Sequence, residues 1–181
     1  MKLHYHCLLL FCSAVFFTST CLMAQKPKVV VKKPVAKPVV PAAKIYANDI
    51  SLSAKGFVIQ EAYLIFNDET KVPPDNKVEV NQQVNLRIVL TTAFKEIEGK
   101  VFPGASEKIV LSNGVTILDS EDLFTTYNET GVSPADAKYI TLKAVITEIK
   151  DKNNYITVFV KLWDKKNTAS EITGSYKMYI K

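Results

Sequence analysis

The stretch YITVFVKLW, from Tyr155 to Trp163, alternates without a break: Ile156, Val158, Val160 and Leu162 fall on one side of an extended chain, Tyr155, Phe159 and Trp163 on the other. Side chains of a β-strand point to opposite faces in turn, so a period of two rich in β-branched and aromatic residues marks a strand with a face in a core. Working outward, Tyr139 to Glu148 and Ile172 to Ile180 show the same texture. A turn at Asp151-Lys152-Asn153-Asn154 and a loop after Trp163 would make these segments a three-strand meander, with Tyr176, Met178 and Ile180 packing beside the aliphatic face of the middle strand. The aromatic face of that strand is expected to be covered as well. The competing reading makes Tyr155, Phe159 and Trp163 a contact surface, because aromatic rings in line offer stacking platforms and anchors.

Towards the N-terminus, Ile50 and Leu52 alternate with serines, Phe57 to Phe66 forms a long apolar run, and Val84, Leu86, Ile88 and Leu90 alternate with Asn85 and Arg87. Asn113-Gly114 separates two further apolar segments and predicts a hairpin with a type I′ turn. Pro103-Gly104 predicts a tight turn ahead of that hairpin, with Phe102 turned into the core. Ser133-Pro134-Ala135-Asp136-Ala137 has the capping residue, the early proline and the early acid of one helical turn. Helical periodicity is otherwise almost absent. The expected fold is an all-β antiparallel sandwich of about seven or eight strands over residues 45–181. A closed eight-stranded barrel, able to enclose a small apolar ligand, is the structural rival.

Ala137 and Tyr139, following a one-turn crossover, resemble the tyrosine corner of immunoglobulin-like domains, and the resemblance implies that Tyr139 is the corner residue. Ala135 departs from the acid common in that motif, and the disulfide pair of antibody domains is missing.

Lys2 and His4 precede the apolar run Leu8 to Phe17, and Thr18-Ser19-Thr20 leads towards a cut after Ala24. Residues 1–24 therefore read as a signal peptide, and the chain as exported to the periplasm or cell surface. The alternatives are lipidation at Cys21 and a retained anchor over Cys7 to Ala24. Every Cys and His (Cys7, Cys12, Cys21, His4, His6) lies in this leader. After cleavage no thiol nucleophile, imidazole base, disulfide or Cys/His zinc site remains, and no cofactor is expected.

Residues 25–44 form a Lys/Pro/Val spacer, whose prolines disfavour helix and favour extended polyproline II geometry, reaching about 60 Å. Its composition is similar to the Lys-Pro spacers of TonB-type periplasm-spanning proteins. The net charge of +5 belongs to this tail, since from residue 45 onward 16 Lys and Arg face 18 Asp and Glu. A basic nucleic-acid footprint is therefore missing from the domain. Lys26, Lys28, Lys32, Lys33 and Lys37 are instead candidate contacts to anionic lipid or cell-wall polymer.

With no His or Cys left, carboxylates would have to carry any catalysis. Asp119, Glu121 and Asp122 are the densest group, and a glycan hydrolase would need two of them across a cleft. The bland reading is a solvated turn. Calcium would draw on the same loop or on Asn67-Asp68-Glu69, neither with EF-hand spacing; turn chemistry explains both. Asn128-Glu129-Thr130 matches a glycosylation sequon too short to carry weight. The expected function is that of a non-enzymatic envelope or surface module binding another envelope protein or a polymer, the hydrolase and a small-ligand carrier being the alternatives.

Overall fold

The computed structural model describes residues 42–145 and 155–181. All described residues belong to one compact unit, within Pro38–Lys181. The leader, the cleavage site, Cys21, the lysines from Lys26 to Lys37 and the turn at 151–154 lie outside the described residues. Among the described residues no helix is long and apolar enough to cross a membrane.

Ten strands form two sheets: β1 (Lys44–Ile45), β2 (Ser51–Lys55), β3 (Ile59–Phe66), β4 (Lys77–Val78), β5 (Gln83–Leu90), β6 (Pro103–Leu111), β7 (Thr116–Ser120), β8 (Tyr139–Val145), β9 (Tyr155–Asp164) and β10 (Asn167–Ile180). The larger sheet runs β1-β2-β10-β9-β6-β7, with β4 joining the end of β10 in parallel, and the smaller runs β3-β5-β8. All other pairings are antiparallel. The result is an all-β sandwich. The closed barrel is ruled out by the separation into two sheets.

The core forms where the alternating faces meet. Val84, Leu86, Ile88 and Leu90 of β5 and Ile140, Leu142 and Ala144 of β8 point inward from the smaller sheet. Ile156, Val158, Val160 and Leu162 of β9 meet them from the larger, beside Ile172, Tyr176 and Met178 of β10. Each fully buried aliphatic side chain stabilises the fold by roughly 1.5 to 3 kcal/mol before entropy is counted. A polar latch fastens one end. Asn48 Nδ2 donates to the carbonyls of Val72 (3.1 Å) and Pro73 (3.0 Å) and to Asn76 Oδ1 (2.8 Å). Asn76 Nδ2 donates to the carbonyls of Asn48 (2.8 Å) and Lys177 (2.9 Å), which ties the loop before β4 to β10.

Several local expectations are corrected. The C-terminal segments are not a meander: β8 pairs with β5 in the smaller sheet, and the neighbours of β9 are β10 and β6. Equal alternation on both sides of a turn signal does not tell which sheet each strand joins. The loop expected after Trp163 is a short β9–β10 connection, with a register shift between Asn167 and Glu171. Pro103-Gly104 opens β6 instead of making a turn, although Phe102 is buried. The hairpin at Asn113-Gly114 forms, but Gly114 is its sole residue with positive φ. The amide of Gly114 donates to the Leu111 carbonyl and that of Leu111 to Val115, so the loop closes one residue longer than a type I′ turn. Ser133 Oγ accepts from the Asp136 amide at the single turn Asp136–Lys138, as expected. Tyr139 is 61% exposed, which overturns the tyrosine corner, a motif built on a buried ring.

Candidate functional site: the outer face of the larger sheet

With the aliphatic side of β9 in the core, its aromatic side must face outward. The expectation that Tyr155, Phe159 and Trp163 are covered fails here: the three-stranded sheet covers one side of the larger sheet, and the described residues form no third layer. Phe159 is 46% exposed, and Tyr155 and Trp163 are half-buried. At a strand rise of ~3.3 Å per residue the three rings span about 26 Å.

Each ring is held by its cross-strand neighbours. Trp163 pairs with Gly104 of β6 and Glu171 of β10. The missing side chain at residue 104 lets the indole lie against the strand, for a β-carbon there would collide with the ring. Phe159 sits between Lys108 and Ser175. Tyr155 meets Tyr179 edge-on, with ring centroids 6.1 Å apart, and the Lys177 ammonium lies 4.6 Å from the Tyr155 ring centre.

Two grooves of about 320 Å³ reach outward-facing residues of this sheet, and Phe159 itself lines neither. One is bordered by Ser51, Thr157, Ser175, Lys177 and Tyr179. The other is bordered by Lys161, Trp163, Thr168 and Glu171. Two lysines of the face carry ion pairs, Lys108 with Asp119 (2.9 Å) and Lys161 with Glu171 (3.3 Å). Exposed pairs of this kind contribute little stability, and their groups can exchange partners. The face thus offers aromatic platforms among hydroxyl and ammonium groups, which suits stacking and hydrogen bonding to a ligand laid along the strand.

The acidic candidates do not assemble. Asp119 points to this outer face and pairs with Lys108. Asp122 bonds Lys165 at 2.7 Å and accepts from the amides of Phe124 (2.9 Å) and Ala105 (3.3 Å). Burial raises its pKa, but the Lys165 and amide hydrogen bonds together hold it below the ordinary range, the wrong direction for a general acid. Glu121 is exposed. In the other loop Asp68 accepts from the Thr70 amide and hydroxyl, and Glu69 is gripped by Arg87 through both oxygens. Both loops are turns held by their own acids. Among the described residues no cluster of three or more metal-ligating side chains occurs. Asn128 accepts from Lys165.

Sequence reasoning missed Glu107. It points into the core from β6, 1% exposed, with both carboxyl oxygens unpartnered. Burial pushes its pKa up to about 7. The Tyr176 hydroxyl, on the same inward face, is also buried and unpartnered, and its pKa is raised by burial and then by the charge on Glu107. The signal was present in the parity of β6, where residue 107 shares its side with Ala105 and Ile109.

No family model matches the chain, and no curated protein sequence matches it. Among solved structures, the C-terminal domain of wzt aligns at TM-score 0.48 and 10% identity, over 78% of this chain and 81% of that one. The soluble domain of PmoD from Methylocystis sp. aligns at TM-score 0.37 and 6% identity, over 78% and 98%. Chicken MD-1 complexed with lipid IVa aligns at TM-score 0.34 and 11% identity, over 78% and 99%.

Proposed function

We propose that this chain is a non-enzymatic binding module of the cell envelope that holds an extended, hydroxyl-rich polymer along the outer face of its larger sheet. The observation that carries the reading is Phe159, exposed at the middle of β9, with Trp163 and Tyr155 in line on either side on the same face. Rings stack on the apolar faces of sugar residues, and the flanking Ser, Thr and Lys side chains suit the hydroxyl and acid groups of a glycan. We read the strand order as immunoglobulin-like. The leader and the lysine-rich spacer fit export and a stand-off from an anionic surface.

The test is titration calorimetry of the full chain against purified envelope polysaccharides. Phe159→Ala should weaken binding about tenfold or more, as loss of an aromatic anchor does. Unchanged affinity in that variant, or saturation by no polysaccharide, would remove the outer face from consideration. Cleavage after Ala24 is checked by N-terminal sequencing of the protein recovered from the envelope. Gln25 should be first; a lipid-modified Cys21 would give a blocked terminus and added mass.

A further inference from the structure

A separate cavity of about 240 Å³ lies between the segment 124–137 and the starts of β6 and β8, and shares no lining residue with the two outer-face grooves. Three aromatic residues, Phe124, Tyr127 and Tyr139, are among those that line it. The rings of Phe124 and Tyr127 stand 6.2 Å apart at 60° to one another, and Tyr139 contributes a third, largely exposed ring. Pro103 and Val132 add apolar surface, and Asp136 is the sole charged residue of the lining. Ser133 Oγ donates to Asp136 Oδ2 at 2.7 Å and so holds the carboxylate in place. The nearby ammonium of Lys165 is taken up by Asp122, Asn128 and the Phe124 carbonyl, and does not line the cavity.

Aromatic rings carry negative charge on their faces, so several rings around one small cavity favour a cation over an anion. A carboxylate in the same wall adds to that preference, while the apolar remainder disfavours a strongly hydrated metal ion. Tyr127 and Tyr139 leave apolar surface in water that a ligand would cover. We propose that this cavity is a site for a quaternary alkylammonium head group of choline type, a cation with a single compact charge surrounded by carbon. A lysine ammonium, with three N–H donors, is strongly hydrated and fits the apolar remainder of the wall less well.

The test follows the ring proton resonances of Tyr127 and Tyr139 in the full chain during titration with choline, with acetyl-lysine methylamide, and with dimethylbutanol, the uncharged isostere of choline. Choline should saturate and shift both tyrosines, and the isostere should bind at least about tenfold more weakly. Tighter binding of the lysine amide than of choline would point to a peptide ligand and overturn the head-group assignment. Asp136→Asn and Tyr139→Ala should each weaken the ammonium severalfold, whereas Phe159→Ala, on the outer face, should leave it unchanged. Equal affinity for the uncharged isostere would make the cavity a plain apolar pocket and overturn the proposal. So would shifts that never saturate with choline.

Discussion

The indole of Trp163 lies against Gly104 on the neighbouring strand, occupying the space where any other residue would place a β-carbon. The pairing hides bare backbone of β6 and fixes the ring's orientation on the outer face. Gly104→Ala should therefore lift the ring, cost about 1 to 3 kcal/mol in stability, and shift the emission of Trp163, the sole tryptophan of the chain, to longer wavelength. Denaturant melts read by fluorescence test both effects, and wild-type emission in the variant would show that the ring does not depend on the glycine.

Glu107 makes the stability of the domain depend on pH in an unusual direction. Its folded pKa of about 7 lies above the ordinary 4.5, so its stabilising contribution is fully present below pH 4.5 and is lost as pH rises through 7. The loss amounts to about 3 kcal/mol. Glu107→Gln should flatten the stability profile between those limits and raise the melting temperature at alkaline pH. An unaltered profile in urea melts across the range would mean that water or a counter-charge reaches the carboxylate.

Asn76 ties the loop before β4 both to the turn at Asn48 and to β10. It is 2% exposed, its φ of 53° is a conformation that asparagine tolerates better than most residues, and its amide bonds both Asn48 and Lys177. Asn76→Ala should cost about 3 kcal/mol, through backbone strain and the buried groups left unpaired. Hydrogen exchange at the Tyr179 amide, which donates to the Asn76 carbonyl, should accelerate if the latch opens locally.

Phe159 and Val160 are adjacent in sequence and opposite in consequence. Val160→Ala removes buried volume and should cost about 2 kcal/mol, whereas Phe159→Ala should change stability by no more than about 0.5 kcal/mol. A large loss for Phe159 in thermal melts would show that the outer face is covered in the native protein.

Much of the fold was legible in the sequence because burial parity is a local property. Val84 to Leu90 and Ile156 to Leu162 announce both the strand and its inward side, and the structure buries those residues. The candidate site was legible in its members but not in its setting. Tyr155, Phe159 and Trp163 share one face as a period of two requires, but aromatic residues also line the inner faces of sandwich strands, so residue type leaves open that this face meets solvent. Tyr139 failed as a corner residue because that motif needs a ring packed under its own turn, and here the ring follows a 3₁₀ turn onto the surface.

What the sequence determined alone was the all-β class, the burial of the aliphatic sides of β5 and β9, and the confinement of Cys and His to residues 1–24. Those properties rest on residue type and on a period of two, which any extended chain imposes on its neighbours. The tertiary structure alone decided that β8 leaves β9 for the opposite sheet, that the aromatic line of β9 meets solvent, that Glu107 sits unpaired among aliphatic side chains, and that Phe124, Tyr127 and Tyr139 surround one cavity with Asp136. Each depends on which distant segment closes against which. That choice is made by the total area buried when both sheets pack, a quantity that no single stretch of sequence contains.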